Sequence, residues 1–275
     1  MDNISTDGID VLGVTSVDDE LFVLLHRDYN QVAVYSTNDY QLLRHLNLPG
    51  LKPHEYSDLT SCVRHTCLYM SDFDGRCVYR YDLASSAKRN AISSWFGRAT
   101  GTSKWPVPGK PCGLSVTPGC SLLVTCQRPG KLVELSADSG QCVREIALQS
   151  DIVGPWQGIQ LTTGQFVVCH GDSFQRVCVV GADGRIARSY GGVWGPSVSR
   201  LFWPSHVAVD RDSQFVFVAD QGNDRVVLLS PTLEFVRSIR EELSDPSRLY
   251  LHQATRRLYV GLRQVNVGHV VIIQL

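Results

Sequence analysis

The segment LFWPSHVAVDRDSQFVFVADQGNDRVVLL, residues 201–229, holds an imidazole, a carboxylate and a guanidinium: His206, Asp220 and Arg225. These are the materials of acid–base catalysis, in which a positioned side chain takes or gives a proton. A second candidate is His170-Gly171-Asp172-Ser173, where a hydroxyl stands beside a carboxylate. A serine nucleophile needs a base within hydrogen-bond reach. No spacing here fixes one, so this reads as an ordinary turn. The cysteines, Cys62, Cys67, Cys77, Cys112, Cys120, Cys126, Cys142, Cys169 and Cys178, include no CxxC pair and so lack the local zinc signature. Most sit in apolar runs, as buried, reduced thiols of a cytoplasmic protein do. No P-loop, dinucleotide glycine pattern or Ser-His-Asp order stands out.

The elements around these groups recur. The run FVFVAD (215–220) has counterparts in LFVLLH (21–26), LYMSDF (68–73), LLVTCQ (122–127), FVVCHG (166–171) and LYVGLR (258–263). Anchors at Phe22, Tyr69, Leu123, Val167, Phe217 and Tyr259 are spaced by 47, 54, 44, 50 and 42 residues. An alternating run precedes most anchors: VLGVTSV (11–17), PCGLSV (111–116), PWQGIQL (155–161), WPSHVAV (203–209) and DPSRLYL (245–251). A third run follows each, as in QVAVY (31–35) and RVVLL (225–229). A fourth reads LLRHL (42–46), CVREI (142–146), IARSY (186–190) and FVRSI (235–239). Asp-Gly and Ser-Gly pairs between the third and fourth runs suit tight hairpins, because Gly takes positive φ without steric cost.

Six units of four short strands predict an all-β, six-bladed β-propeller with antiparallel blades. No sustained helical period competes with this reading. The blades fall near 10–51, 52–101, 105–152, 153–192, 201–243 and 244–275, in one domain over 1–275. The last unit ends at its third strand, which would leave an apolar edge open. The segment from Asn3 to Ile9, with Ile4 and Ile9 as its packing residues, is expected to supply the missing strand and close the ring.

Composition bounds the partners. A formal net charge of −1 gives no bulk attraction to nucleic acid or acidic membranes. No stretch is apolar enough for a transmembrane helix, and the polar start MDNISTDGIDV does not read as a signal peptide.

In the fifth unit, VADQGNDRVVLL resembles the NHL repeat, whose units run from a Pro through apolar alternation to Val-x-Asp-x-x-Asn-x-Arg-Val. Pro204, Val207, Val209, Val218, Asp220, Asn223, Arg225 and Val226 match. The second unit keeps Asp72, Gly75 and Arg76, while Leu25, Cys126, Cys169 and Leu262 stand in for Asp elsewhere. The resemblance covers nearly the whole chain as architecture and one unit strongly. It makes Asp220 an acceptor for backbone N–H groups in the turn after the second strand, and Arg225 a tie between adjacent blades.

In a propeller, loops from strand four to the next strand one share a face with loops from strand two to strand three, and that face usually binds. Here it is expected to carry Arg98, Lys104, Lys110, Arg128, Trp156, Phe174, Trp194, Arg200, His206 and Arg263. Aromatic planes and cations suit peptides anchored by aromatic and Arg hot spots, or stacked single-stranded RNA. Trp105 and Trp203, each before a strand-opening Pro, are expected to pack between blades.

The resemblance also brings enzymes into view. Related six-bladed lyases hold zinc with three histidines, for which His26, His170 and His206 are the matching set here. Lactonase-like propellers hold calcium with channel carboxylates, and the inner strands here offer almost none, Asp10 and Asp210 lying at strand ends. NHL propellers often serve as substrate-recruiting modules of TRIM-type ubiquitin ligases, and no RING or B-box spacing occurs in this chain. The expectation is therefore a non-catalytic scaffold without a cofactor. It recognises a protein or peptide, with RNA as a further possible partner and no DNA or membrane. A metal-dependent lyase or hydrolase working in the central channel is the alternative.

Overall fold

Alternating runs bounded by turn residues become strands because each then buries one set of side chains against a neighbouring sheet. The computed structural model describes the chain except residues 1, 7–8, 27–30, 49, 51–53, 84–95, 99–100, 173, 240–242 and 264–268, and except the side chains of 96–98. It is a six-bladed β-propeller, and its only helix among the described residues is one 3-10 turn, Gln221–Asn223.

The N-terminal strand is β1 (Asp2–Ser5). The first blade is β2 (Val11–Val17), β3 (Glu20–Leu25), β4 (Gln31–Ser36) and β5 (Leu42–Asn47). The second is β6 (Leu59–Cys62), β7 (Cys67–Asp72), β8 (Cys77–Asp82) and, after β9 (Phe96–Arg98), β10 (Gly101–Pro106). The third is β11 (Pro111–Val116), β12 (Leu122–Cys126), β13 (Lys131–Leu135) and β14 (Cys142–Ala147). The fourth is β15 (Pro155–Gln160), β16 (Phe166–Gly171), β17 (Gln175–Val180) and β18 (Ile186–Gly192). The fifth is β19 (Pro204–Val209), β20 (Val216–Asp220), β21 (Arg225–Leu229) and β22 (Phe235–Ile239). The sixth is β23 (Pro246–His252), β24 (Arg257–Leu262) and β25 (His269–Gln274), with β1 outside β25. That antiparallel pair runs from Asp2 opposite Ile272 to Ser5 opposite His269. Ile4 and Ile9 are both buried, so the predicted ring closure is the observed one.

One departure concerns the second blade. Its outer strand is β10, so Lys104 and Trp105 lie in a strand and not in the following connection. The long insertion before β10 places β9 parallel to β5, which makes the first sheet five-stranded. A fixed repeat length could not register that insertion.

The inner strands β2, β6, β11, β15, β19 and β23 stand side by side around a central channel. Hydrogen bonds link them blade to blade: Thr15 Oγ1 with Ser61 Oγ (2.7 Å), Leu114 N–H to Asp58 Oδ2 (2.8 Å) and Ser115 Oγ to the Gly158 carbonyl (2.8 Å). Leu249 N–H reaches His206 Nδ1 (3.4 Å), and Arg248 Nε donates to the Leu12 carbonyl (2.6 Å). Each sheet alone would expose two apolar faces, so the blades stabilise one another as a ring.

Five inner strands carry the same irregularity. Register shifts fall at Val11/Gly13, Pro111/Gly113, Pro155/Gln157, Pro204/His206 and Pro246/Arg248. A bulge re-aims the residue that follows it. Gly13, Gly113, Gln157, His206 and Arg248 thus share one register position, each the first paired residue after the bulge. Asp58, whose carbonyl accepts the Ser71 N–H, holds this position in the second blade.

Candidate functional site

The strongest site begins with the motif Asp220, Asn223 and Arg225, and the three residues do more than shape a local turn. Arg225 is 2% exposed. Its Nε donates to Asp220 Oδ2 at 2.5 Å, Nη1 to the Pro196 carbonyl at 3.2 Å, and Nη2 to the carbonyls of Ser197 at 3.1 Å and Arg200 at 2.7 Å. Asn223 Nδ2 donates to Asp220 Oδ2 and to the Gly195 carbonyl. Asp220 Oδ1 accepts the Phe202 N–H at 2.6 Å. Burial pushes the Asp220 carboxyl up, against the pull of the Phe202 N–H, Asn223 and Arg225. The sequence assigned Asp220 to its own turn and Arg225 to a blade tie. Arg225 makes its tie to the connection between the fourth and fifth blades, and Asp220 holds the Phe202 N–H of that same connection rather than a backbone N–H of its own turn.

That connection is an aromatic display. Trp194 is 64% exposed and Trp203 is 54% exposed, and Phe174, in the turn between β16 and β17, is 48% exposed. Phe202 lies between the two tryptophans, its ring centroid 5.6 Å from Trp194 and 5.2 Å from Trp203. Val193 and Val198 are exposed in the same loop. Trp203 has φ 51, a left-handed conformation rare for a bulky residue. Gln175 Oε1 accepts its N–H at 2.9 Å, and its carbonyl accepts the Gln221 N–H. Trp203 therefore does not pack between blades as expected, because its backbone turns it outward. Trp105 does pack: it is buried in β10 against Tyr69, over Gly140, where a Cβ would stand 2.3 Å from the indole.

The other predicted residues divide into groups. Lys110, Trp156 and Arg263 gather on the same face around Tyr56, in a cluster with His54 and Phe73 that the sequence reading missed. His54 stacks on Phe73 at 5.3 Å, and Tyr56 meets Phe73 at 4.9 Å and Trp156 at 5.3 Å. Lys110 Nζ sits 4.5 Å above the Phe73 ring and 3.5 Å from Asp74. Arg263 pairs with Glu55 at 2.7 Å and Asp10 at 3.7 Å, and its guanidinium holds the Glu55 carboxyl below its usual range. Arg128 and Arg200 are exposed on this face. Lys104 is exposed on the outer strand, its Nζ 5.4 Å from the Tyr79 ring centroid, away from the loops. Arg98 ends β9, and its side chain lies outside the described residues, as does Ser173.

The three histidines of the zinc reading occupy three environments. His26 is exposed, and His206 is buried in the channel wall. His170 is fully buried beside Cys178 Sγ, 3.7 Å from its Nε2. Among the described residues, no group of three or more His, Cys, Asp or Glu side chains is placed to hold a metal ion. All nine cysteines are free. Burial pushes the Cys126, Cys169 and Cys178 thiols up to about 12, far from thiolate reactivity. Pairing also corrects the repeat alignment: His170, and not Cys169, stands opposite Pro155 as Asp220 stands opposite Pro204.

Burial lowers the His170 pKa from 6.5 to about 4. The folded chain thus binds this proton less tightly than the unfolded chain. The stability involved is complete above pH 6.5 and is lost as pH falls toward 4, up to about 3 kcal/mol. Urea titrations at pH 7 and pH 4 should show that drop in the parent and a smaller one in His170→Gln. Parallel losses in both chains would refute it.

Among the described residues, no helix is long and apolar enough to cross a membrane. No family model and no curated protein matches the chain. Solved propellers do. A hydrazine synthase structure from Kuenenia stuttgartiensis is 14% identical over 99% of this chain and 97% of that chain, with a TM-score of 0.65. A streptogramin B lyase is 12% identical over 99% and 85%, with a TM-score of 0.66. The β-propeller domain of Myceliophteria thermophila Cps50 (Swd1) is 15% identical over 100% and 98%, also with a TM-score of 0.66. The likeness to enzymes and to a named propeller domain alike is one of fold, and the fold is the six-bladed β-propeller.

Proposed function

We propose that this chain is a divergent NHL-type propeller that works as a binding scaffold, seating a protein partner on its loop-bearing face. The observation that carries the reading is the ladder Trp194, Phe202 and Trp203, two exposed indoles with a half-buried ring between them, on a loop that the buried Arg225 fastens from below. Large apolar groups clustered at a surface mark interaction sites. Trp and Arg dominate the energetics of protein interfaces. A loop already fixed by hydrogen bonds loses little freedom on association, which favours affinity.

Charge favours protein over RNA. Lys110, Arg176 and Arg263 on this face are held by Asp74, Asp151 and Glu55. Phosphate binding depends on cations left to meet phosphates.

The test compares cross-linked, affinity-purified material from cells expressing the parent, Trp194→Ala/Trp203→Ala, and Val63→Ala on the opposite face. A partner held by the parent and by Val63→Ala should fall at least ~10-fold in the double variant, as for the loss of a hot spot. Equal recovery from all three, or recovery abolished by ribonuclease, would overturn the reading.

A further inference from the structure

The central channel holds a second site at the end opposite the loop-bearing face. On the side of the turns joining first and second strands it opens into a cavity of about 260 Å³, lined by first-strand residues of all six blades. Most ligand pockets are larger, roughly 300–1,000 Å³, so an occupant here is small. Val116, Ile159 and Tyr250 are half-buried and give the cavity accessible apolar wall. Two hydroxyls of the lining are already committed: Ser61 Oγ donates to the Ser16 carbonyl, and the Tyr250 hydroxyl is bonded to Ser16 Oγ. Among the described residues that line the cavity, none is Asp or Glu, and the one permanent charge is Arg211.

The turn after β19 fixes Arg211 at the mouth. Its N–H donates to Gln253 Oε1 at 3.1 Å, and its carbonyl accepts from Gln214 Nε2 at 2.7 Å. The preceding carboxylate, Asp210, is taken by Arg256 at 2.6 Å and by the Ser213 hydroxyl. The exposed Arg211 side chain reaches from the fifth blade past the fourth to the third, where Nη2 meets the Val116 carbonyl at 3.4 Å. That is a long contact for an N–H···O bond. It is also the one protein acceptor of this guanidinium among the described residues. A guanidinium carries five N–H donors in a planar fork, so most of its capacity is open to the mouth. The fourth blade places Gln160 beside this point. Val116 stands opposite Leu122 and Gln160 opposite Phe166, the same register position in adjacent blades. The Gln160 side chain is half-buried, lines the cavity and has no side-chain partner among the described residues.

We propose that this end of the channel binds a small organic carboxylate, a monoanion with an apolar body the size of one ring or a short acyl chain. The carboxylate accepts paired N–H bonds from Arg211, the bidentate geometry a guanidinium favours. Gln160 is a further donor in the same mouth. The body displaces water from Val116, Ile159 and Tyr250. A cationic head meets the guanidinium as a like charge, and a dianion leaves one charge without a partner, which burial penalises.

Benzoate is the probe. Benzamide is its uncharged match, benzylamine its cationic one, and acetate the carboxylate without the body. Saturation-transfer titrations at low salt should give benzoate a millimolar Kd, with each of the other three at least ~10-fold weaker. Arg211→Gln should weaken benzoate ~10-fold, the scale of one charge-assisted pair, with the melting temperature in place because the side chain is exposed. Arg211→Lys keeps the charge without the fork and should fall between. Arg64→Gln, exposed on the same side of the ring but outside the cavity, should bind benzoate as the parent does. No transfer from benzoate, any of the three matches binding as well as benzoate, or equal binding by the parent and Arg211→Gln would overturn the proposal. So would a loss in Arg64→Gln as large as that in Arg211→Gln.

Discussion

Replacing Arg225 by Met should lower the free energy of unfolding by about 3–5 kcal/mol, the scale for breaking a buried ion pair on one side. The guanidinium serves one buried carboxylate and three backbone carbonyls of the connecting loop. Asp220, 0% exposed, would remain as a buried charge held only by Asn223 and the Phe202 N–H. The 193–203 loop would lose its anchor at the same time, so partner binding should weaken even where the fold survives. Urea denaturation followed by tryptophan emission measures the first effect, and emission at zero denaturant reports the loop. A loss under ~1 kcal/mol would mean that Arg225 is a surface-type pair, contrary to its burial.

A chain that begins at Thr6 should lose about 4 kcal/mol or more and self-associate. Ile4 is 3% exposed and packs with Val11, Val270 and Ile272, among others. Removing a buried isoleucine side chain alone costs about 2–5 kcal/mol. Losing β1 also strips the ladder from β25, which becomes an open apolar edge, a template for pairing with other chains. Ile4→Ala keeps the backbone ladder and should cost about 3 kcal/mol without association. Melting curves and light scattering on both chains separate the packing effect from the edge effect. A truncated chain that stays monomeric with an unchanged melting point would refute the closure described above.

The blades were legible where periodicity was intact. Runs such as FVFVAD and RVVLL repeat because the two middle strands of each blade are buried on both sides by neighbouring sheets, and burial selects mostly apolar residues. The strands that escaped are those burial does not select. β6 is LTSC, half of it turned toward the channel, and β10 is GTSKWP, mostly exposed and displaced by an insertion. The two Trp-Pro pairs show the limit of local sequence. Trp105 and Trp203 share a neighbour, yet one is buried over Gly140 and the other stands out on a left-handed backbone. Nothing within a few residues of either decides this.

The aromatic face was half legible. Trp194 and Phe174 could be placed because they fall mid-loop, whereas Tyr56 and Phe73 meet only through the ring. The inner end of the channel did carry a signal that went unread. Pro111-Cys112-Gly113, Pro155-Trp156-Gln157, Pro204-Ser205-His206 and Pro246-Ser247-Arg248 each place the axial residue two after a strand-opening proline. A lone polar residue or glycine looks random in any one unit, and it gains meaning only when six inner strands, five of them bulged, converge.

The sixth sheet also governs when the molecule can finish folding. Asp2 pairs with Ile272, so β1, the earliest strand of the propeller, must wait for β25, its latest. At synthesis rates of roughly 5–20 residues per second, that wait is on the order of 15–50 s. During it five sheets can stack in order of emergence, but their arc stays unlocked and β2 has no neighbour on its far side. The final step is a cyclisation, and its rate should depend on how well the nascent amino-terminal segment is kept from pairing elsewhere on the ribosome.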